Sequence, residues 1–533
     1  VQSERLDNDQ DTSRGTSLST GAETRPDIQR LDIHMVAIGG TGMAPLACLL
    51  QEQGHRVRGS DGPLYPPMST LLERAGIRPL TGFAAAHLAP RPDLVVVGNA
   101  VRRDNPEAVE AERLGLPVVS MPQALARFFL AGRRPLVVTG THGKTTTTAM
   151  AAWVYSRCGR EPGYLIGGAP RGLATSFAAG RGERFIVEGD EYNAAYFDRG
   201  AKFLHYQAET LILTSVEYDH ADLYPSPEAL RAAYARLIAQ LPAGGLLVAC
   251  GDTAEVRALA AQAPCRTLLY GLGEGNDVHP AGRIDAGSAG SRWQVADGIG
   301  GEGSEGGGEI VLPLAGSHNV ANALAVWAAA RRDGLSAAAV AAALAEFQGV
   351  RRRLEELGAP GGVTVVDDFA HHPTAVAKTL AALRQRYPGR RVVALFEPRS
   401  LTAGRALFED AYRQAFAAAD RVLFAPTFHA GRLSDGERLD FAALAAALTA
   451  GGAAAARCAS VDELLDRAVA ESRPGDVLVT MSSGSFDGLP RRLVAALEAA
   501  AGAAGAATSG VTGTAEAAGP AGADVRAAAG TAL

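Results

Sequence analysis

The stretch Leu136-Val137-Val138-Thr139-Gly140-Thr141-His142-Gly143-Lys144-Thr145-Thr146-Thr147-Thr148 decides the fold of this 533-residue chain. Three apolar β-formers run into a glycine-rich turn, and a helix-like segment, AMAAWVYSRC (149–158), follows. Strand, turn and helix N-terminus in that order make an anion site, because backbone N–H groups point at the ligand and the helix dipole favours negative charge. Lys144 adds a point charge for a phosphate, and the Thr145 hydroxyl can hold Mg2+. The general phosphate-loop pattern asks for a further glycine five residues before Gly143. Position 138 is Val, so the loop is a shortened form. Composition singles out the lysine as well. Of 51 basic residues only three are lysines, at 144, 202 and 378. A chain that has drifted so far toward arginine keeps lysine at 144 because a planar fork does not replace a compact ammonium in a tight phosphate loop.

Outward from the loop, strand-like and helix-like segments alternate. IHMVAIGG (33–40), HRVRGSD (55–61), DLVVVGNA (93–100) and PVVS (117–120) read as strands, with helices at 45–54, 69–76 and 105–115 between them. That alternation predicts a parallel, Rossmann-like sheet over residues 31–132. The phosphate loop opens a second unit, 133–349, with strands at 184–190, 210–216 and 244–252. Its Gly/Ser-rich stretch 285–308 reads as a long hairpin loop, and the Ala-rich stretch 321–345 as two helices broken at Arg331-Arg332-Asp333-Gly334. A third unit, 350–498, repeats the pattern with strands at 363–369, 391–398, 421–428 and 476–485. The expectation is an α/β protein of three domains: Rossmann-like, central P-loop-type ATPase, and a second Rossmann-like domain, with a ligand held between them. Residues 1–30 and the Ala/Gly/Thr-rich stretch 499–533 read as disordered tails.

Bulk properties exclude several classes. A net charge of −6 argues against a nucleic-acid partner. Five scattered cysteines without a C-x-x-C pair suggest neither a disulfide framework nor a zinc site, and fit a reducing cytoplasm. The first 30 residues lack the apolar region of a signal peptide, and no apolar run is long enough to span a membrane.

Four further motifs carry chemistry. Gly39-Gly40-Thr41-Gly42-Met43 occupies the first βα turn, with Asp61 ending the next strand, an arrangement close to a dinucleotide fingerprint. Pro45 stands in the third glycine's place and counts against NAD, and so against a dehydrogenase built on this domain. Glu188-Gly-Asp190-Glu191 and Glu217-Tyr-Asp219-His220-Ala-Asp222 each follow a strand of the loop-bearing sheet, where carboxylates opposite a phosphate loop suit Mg2+. Gly316-Ser-His318-Asn319-Val-Ala-Asn322 opens a helix and reads either as a cap or as amides facing an adenine edge. Arg351-Arg352-Arg353 and Asp367-Asp368-Phe-Ala-His371-His372-Pro373 head the third unit. The His-His-Pro pair has no metal-triad spacing, which favours phosphate or substrate contact.

These motifs, in this order, resemble the Mur ligase family over residues 31–498: GGTGM (39–43), GTHGKTTT (140–147), EGDEY (188–192), EYDHADLY (217–224), GSHNVAN (316–322), RRRLE (351–355) and DDFAHHPT (367–374). The short G-T-x-G-K-T loop is that family's form. The resemblance implies ATP-dependent amide-bond formation through an acyl phosphate, with domains for UDP-sugar, ATP and amine. YPPMSTLLE (65–73), GNAVRRDNP (98–106), EYNAAYFDRGAKFLHY (191–206) and FEPRS (396–400) look most like the branch joining UDP-N-acetylmuramate to the murein tripeptide L-Ala-γ-D-Glu-meso-diaminopimelate in peptidoglycan recycling. The alternative is the branch that adds L-alanine. Asn193, Ser215 and Leu401 depart from the usual Asp, Asn and Asn.

By this resemblance Lys144 bridges the ATP phosphates and the acyl phosphate, within a nucleotide site of Gly140, Thr141, His142, Gly143, Thr145 and Thr146. Thr145 and Glu188 hold one Mg2+, and His220 a second. Asn319 and Asn322 lie near adenine, and Arg353 and Asp368 on phosphates and ribose. Gly40, Thr41, Gly42, Met43, Asp61 and Asn99 form the UDP pocket, and Tyr192, Asn193 and His371 face substrate. Small molecules are the expected partners, with no nucleic acid and no membrane, for a monomer or weak homodimer.

Overall fold

A computed structural model describes residues 30–299, 307–434 and 436–509. Within them the chain forms three sheets in series. The first joins β1 (Asp32–Val36), β2 (Arg56–Asp61), β3 (Leu80–Thr81), β4 (Leu94–Val97) and β5 (Val118–Ser120) in the order β3-β2-β1-β4-β5, all parallel. That is a doubly wound order, with the switch point between β1 and β4. Leu94–Val97 is buried throughout, as a strand covered by helices on both faces must be.

The second sheet carries the phosphate loop. Its strands are β6 (Arg134–Thr139), β7 (Gly163–Leu165), β8 (Phe177–Ala178), β9 (Arg184–Gly189), β10 (Thr210–Leu213), β11 (Leu246–Cys250), β12 (Arg266–Tyr270), β13 (Val278–Gly287), β14 (Gly290–Asp297) and β15 (Gly308–Leu312). The order is β15-β14-β13-β12-β11-β10-β6-β9-β7-β8. β6 sits between β10 and β9 with parallel register on both sides, so the loop leaves from the middle of the sheet. The helix after it, Lys144–Arg157, starts five residues earlier than the apolar run suggests and is buried over eleven residues.

The third sheet is β16 (Glu355–Gly358), β17 (Thr364–Asp368), β18 (Val392–Phe396), β19 (Arg421–Phe424), β20 (Ala454–Arg457) and β21 (Val477–Met481), ordered β16-β17-β21-β18-β19-β20. Only β16 runs antiparallel to its neighbour. The first two domains share one apolar core, in which Phe129 meets Phe185 at 6.2 Å between ring centroids.

Two expectations are corrected. The Gly/Ser-rich stretch 285–308 is not a plain loop: it holds the end of β13, all of β14 and the start of β15, with residues 300–306 outside the described residues. Ser291, Trp293 and Val295 are buried while Arg292 and Gln294 are exposed, a period-two pattern that needs only three anchors to form a strand. The Ala/Gly/Thr-rich stretch from 499, expected to be disordered, is helical at its start, because the last helix runs Leu489–Ser509. Its alanines are the best helix formers there are. The expected tails at 1–29 and 510–533 lie outside the described residues. None of the described helices is long and apolar enough to cross a membrane.

Candidate active site

Two glycines shape the turn after β6. Gly140 has φ 127°, and a Cβ there would sit 2.2 Å from Thr214 Oγ1. Gly143 has φ 82° and would bring a Cβ to 2.8 Å from Asn322 Oδ1. The loop is strapped to the segment after β10: Thr141 N–H donates to Ser215 O (2.9 Å) and His142 N–H to Ser215 Oγ (3.0 Å). The Thr141 hydroxyl reaches Glu217 O at 3.0 Å and accepts from Glu217 N–H at 2.8 Å. Ser215, which departs from the usual asparagine, thus holds the loop's backbone.

Lys144 points into the crevice. Its ammonium donates to Gly140 O (2.7 Å) and to both oxygens of Glu191 (3.0 and 2.9 Å). His220, at φ 54°, brings Nε2 within 2.9 Å of Glu191 Oε1. Burial works to raise the Glu191 carboxyl, but Lys144 and His220 outweigh it and hold the group at about 2. Burial works to lower His220, and the bond to Glu191 with the charge of Asp219 raises it instead. Desolvation likewise opposes the Lys144 charge, and Glu191 and Asp190 restore it. Lys144 and His220 therefore meet on one buried carboxylate, Glu191, at the mouth of the phosphate loop.

The metal candidates divide into two groups. Thr145 Oγ1 donates to Glu188 Oε1 at 2.9 Å, and Glu188 Oε2 accepts from Gly167 N–H at 2.9 Å. Burial and the neighbouring Asp190 push the Glu188 carboxyl up despite Lys144. A hydroxyl and a buried carboxylate side by side are a donor set that a hard, oxygen-seeking cation fits. His220 is not with them; it is committed to Glu191.

The third domain closes the crevice. Arg353 reaches Thr145 Oγ1 at 3.4 Å, with its guanidinium 4.9 Å from the Phe369 ring centroid. Asp368 spends both oxygens on its own domain, accepting from Leu354 N–H (2.7 Å), Ala370 N–H (2.8 Å) and the Thr379 hydroxyl (3.1 Å). It shapes the segment that presents Arg353. His371 Nδ1–H donates to Phe369 O (3.1 Å), and Nε2 lies 3.8 Å from Asp219. Asn319 donates to Ala315 O (2.7 Å) and Asn322 reaches Asn319 Oδ1 (3.4 Å). Neither caps its helix, whose cap position is Gly316. Thr146 is buried in the first turn after the loop. The Tyr192 ring lies 4.4 Å from the His220 ring, and Asn193 bridges to Ala201.

In the first domain, Asp61 accepts from Gly39 N–H (2.7 Å) and Gly62 N–H (2.8 Å), bracing the turn. A Cβ on Gly39 would meet Leu64 Cδ2 at 2.1 Å. Gly40, Thr41 and Gly42 lead into the helix Met43–Glu52, where Met43 is buried, and Asn99 is exposed just beyond β4. Pro45 is the third residue of that helix, a position whose N–H has no intrahelical partner to lose. Sequence reasoning gave Gly39, Glu191 and Ser215 no individual role and read His372 only within a His-His-Pro pair meeting phosphate or substrate. Glu191 stood in the quoted EGDEY, but which acid meets the lysine depends on the bend after β9.

Comparison with known proteins agrees with this geometry. Residues 32–133, 138–330 and 352–484 match, in turn, the Mur ligase family catalytic domain, the Mur ligase middle domain and the Mur ligase glutamate ligase domain. Such a fold and site define an ATP-dependent ligase that forms amide bonds. The chain is 39% identical over 466 residues to the UDP-N-acetylmuramate–L-alanyl-γ-D-glutamyl-meso-2,6-diaminoheptandioate ligase of Escherichia coli (strain K12), which covers 87% of this chain and 97% of that one. A murein peptide ligase from Psychrobacter arcticus 273-4 matches with TM-score 0.66 and 33% identity over 88% and 99% of the two chains. The UDP-N-acetylmuramate-alanine ligase of Thermotoga maritima matches with TM-score 0.72 and 25% identity over 88% and 100%. This chain belongs to the Mur ligase family.

Proposed function

We propose that the enzyme joins the lactyl carboxylate of UDP-N-acetylmuramate to the amine of L-Ala-γ-D-Glu-meso-diaminopimelate, consuming ATP in peptidoglycan recycling. The observation that carries the choice of amine is the 39% identity to the E. coli tripeptide ligase. The first domain takes the UDP end at Gly40, Thr41, Gly42, Met43, Asp61 and Asn99, with Asp61 acting through the turn it braces.

The carboxylate oxygen attacks the γ-phosphorus, and the bond to ADP breaks. Both reactants are anions, so the chain's task is to neutralise and align them. Lys144 supplies an ammonium already desolvated and oriented, and Arg353 adds a second cation from the opposite wall. Mg2+, held by Thr145 and Glu188, supplies further charge neutralisation when bound. Asn319 and Asn322 floor the adenine pocket. The tripeptide amine then attacks the acyl carbon, phosphate leaves, and the amine's proton is lost. Glu191 and His220 hold Lys144 in register, while Tyr192, Asn193 and His371 line the path of the incoming peptide. A cytoplasmic location suits its nucleotide substrates.

The test offers each amine in turn with UDP-N-acetylmuramate and ATP and follows phosphate release. Turnover with the tripeptide well above that with L-alanine is expected. The reverse preference overturns the choice of amine.

A further inference from the structure

One set of side chains in the crevice takes part in no step of the reaction above, although His142 belongs to the phosphate loop. His142 from the phosphate loop, Glu217 beyond β10 and His372 at the cap of the helix Pro373–Arg386 each offer one ligand atom within 4.8 Å of the others. Among the described residues no other trio of His, Cys, Asp or Glu does so. The Nε2 atoms of both histidines are buried and lack a hydrogen-bond partner. His372 is only 5% exposed. A buried polar atom without a partner calls for an explanation, and a bound ion is a standard one.

The geometry favours a common ligand. His142 Nε2 lies 3.5 Å from Glu217 Oε2, and His372, whose Nδ1 accepts from Thr374 N–H at 3.3 Å, keeps Nε2 for a ligand. The two imidazole centroids are 4.9 Å apart. Four-coordinate zinc, at about 2.0–2.1 Å from nitrogen and oxygen, sets its ligand atoms about 3.3 Å apart, so atoms that stand within 4.8 Å of one another draw together when it binds. Each member is already oriented from behind, as ligands of a metal are. The Thr374 hydroxyl donates to Glu217, the Phe408 ring stands 5.2 Å from His372, and Ser215 Oγ holds the His142 backbone.

Two imidazoles and a carboxylate with a fourth position open form a zinc-type donor set, whereas Mg2+ prefers oxygen throughout. We propose that His142, Glu217 and His372 bind one Zn2+-class ion, separate from the Mg2+ of phosphoryl transfer, and that this ion ties the C-terminal domain to the central one. His142 and Glu217 belong to the central domain and His372 to the C-terminal one. The bound ion holds the crevice closed and slows turnover.

The test titrates Zn2+ into the full-length, metal-free enzyme by calorimetry, without ATP or either substrate, so that its outcome is independent of which amine the enzyme uses. One ion per chain is expected. His372→Asn, which keeps a capping acceptor for Thr374 N–H, and Glu217→Gln should each weaken binding at least tenfold while remaining folded in metal-free melts. The variants sit on different domains, so a folding failure of one leaves the other to decide. Zn2+ should also slow turnover of the wild type more than that of His372→Asn. No binding at micromolar Zn2+, or binding unchanged in the folded variants, overturns the site. Equal inhibition of wild type and His372→Asn overturns the tie between domains.

Discussion

Replacing Lys144 with arginine keeps the charge and should still remove most of the activity. The ammonium spends its donors in two directions, back to Gly140 O at 2.7 Å and across to both Glu191 oxygens at 3.0 and 2.9 Å. A planar guanidinium can pair side-on with Glu191, but it cannot at the same time turn a donor back to the loop carbonyl. Its charge also sits further from the backbone and is spread over three nitrogens. A misplacement of about 1 Å costs roughly 10^2-fold in rate, and loss of one preorganised donor to developing charge costs about 10^2–10^3. The expected fall in kcat is therefore about 10^2–10^3, or about 2.7–4 kcal/mol of transition-state stabilisation. The fold should lose little, because Glu191 keeps a cationic partner. Phosphate release at saturating ATP, UDP-N-acetylmuramate and tripeptide reads kcat, and a thermal melt serves as control. A kcat within tenfold of wild type, with an unchanged melt, refutes the argument that a compact ammonium is required.

Three further outcomes follow from the same geometry. Glu191→Gln leaves the Lys144 ammonium buried without its counter-ion and should cost about 3–5 kcal/mol in denaturant unfolding. The wild-type carboxyl is depressed from 4.5 to about 2, so its stabilisation is present above pH 4.5 and is lost as pH falls toward 2. The variant's melting temperature should vary less across that window, and parallel profiles would count against the pair. Gly140→Ala places a Cβ 2.2 Å from Thr214 Oγ1 at φ 127°, and should cost at least about 1–2 kcal/mol together with ATP affinity; wild-type binding and stability would show that the loop relaxes freely. Glu188→Gln removes a carboxylate from beside Thr145 and should raise the Mg2+ concentration needed for half-maximal rate at least tenfold, read by Mg2+ titration; an unchanged requirement takes Glu188 out of the metal site.

The phosphate loop and the three sheets were legible because their signals are local: apolar runs of strand length, a glycine turn, and a helix behind it. What escaped the sequence depends on contacts between distant segments. The spacing of His371-His372-Pro373 argued against metal ligation, and along the chain that holds. The trio of His142, Glu217 and His372 exists only because the third domain folds back across 230 residues to the phosphate loop. Glu191 could be seen as an acid but not as the partner of Lys144, since the bend after β9 chooses among three neighbouring carboxylates. The β14 strand was hidden by the glycines around it, although Trp293 and Val295 carry its period. Asp61 and Asp368 read as ligand contacts, and in the structure both hold backbone N–H groups that shape the turns beside them.

The central claim is that an acyl phosphate forms in the crevice between Lys144 and Arg353. UDP-N-acetylmuramate labelled with 18O in its lactyl carboxylate tests it most directly. After turnover with ATP and tripeptide, the released phosphate should carry one 18O from that carboxylate. Phosphate free of the label, with amide product formed, would contradict the account.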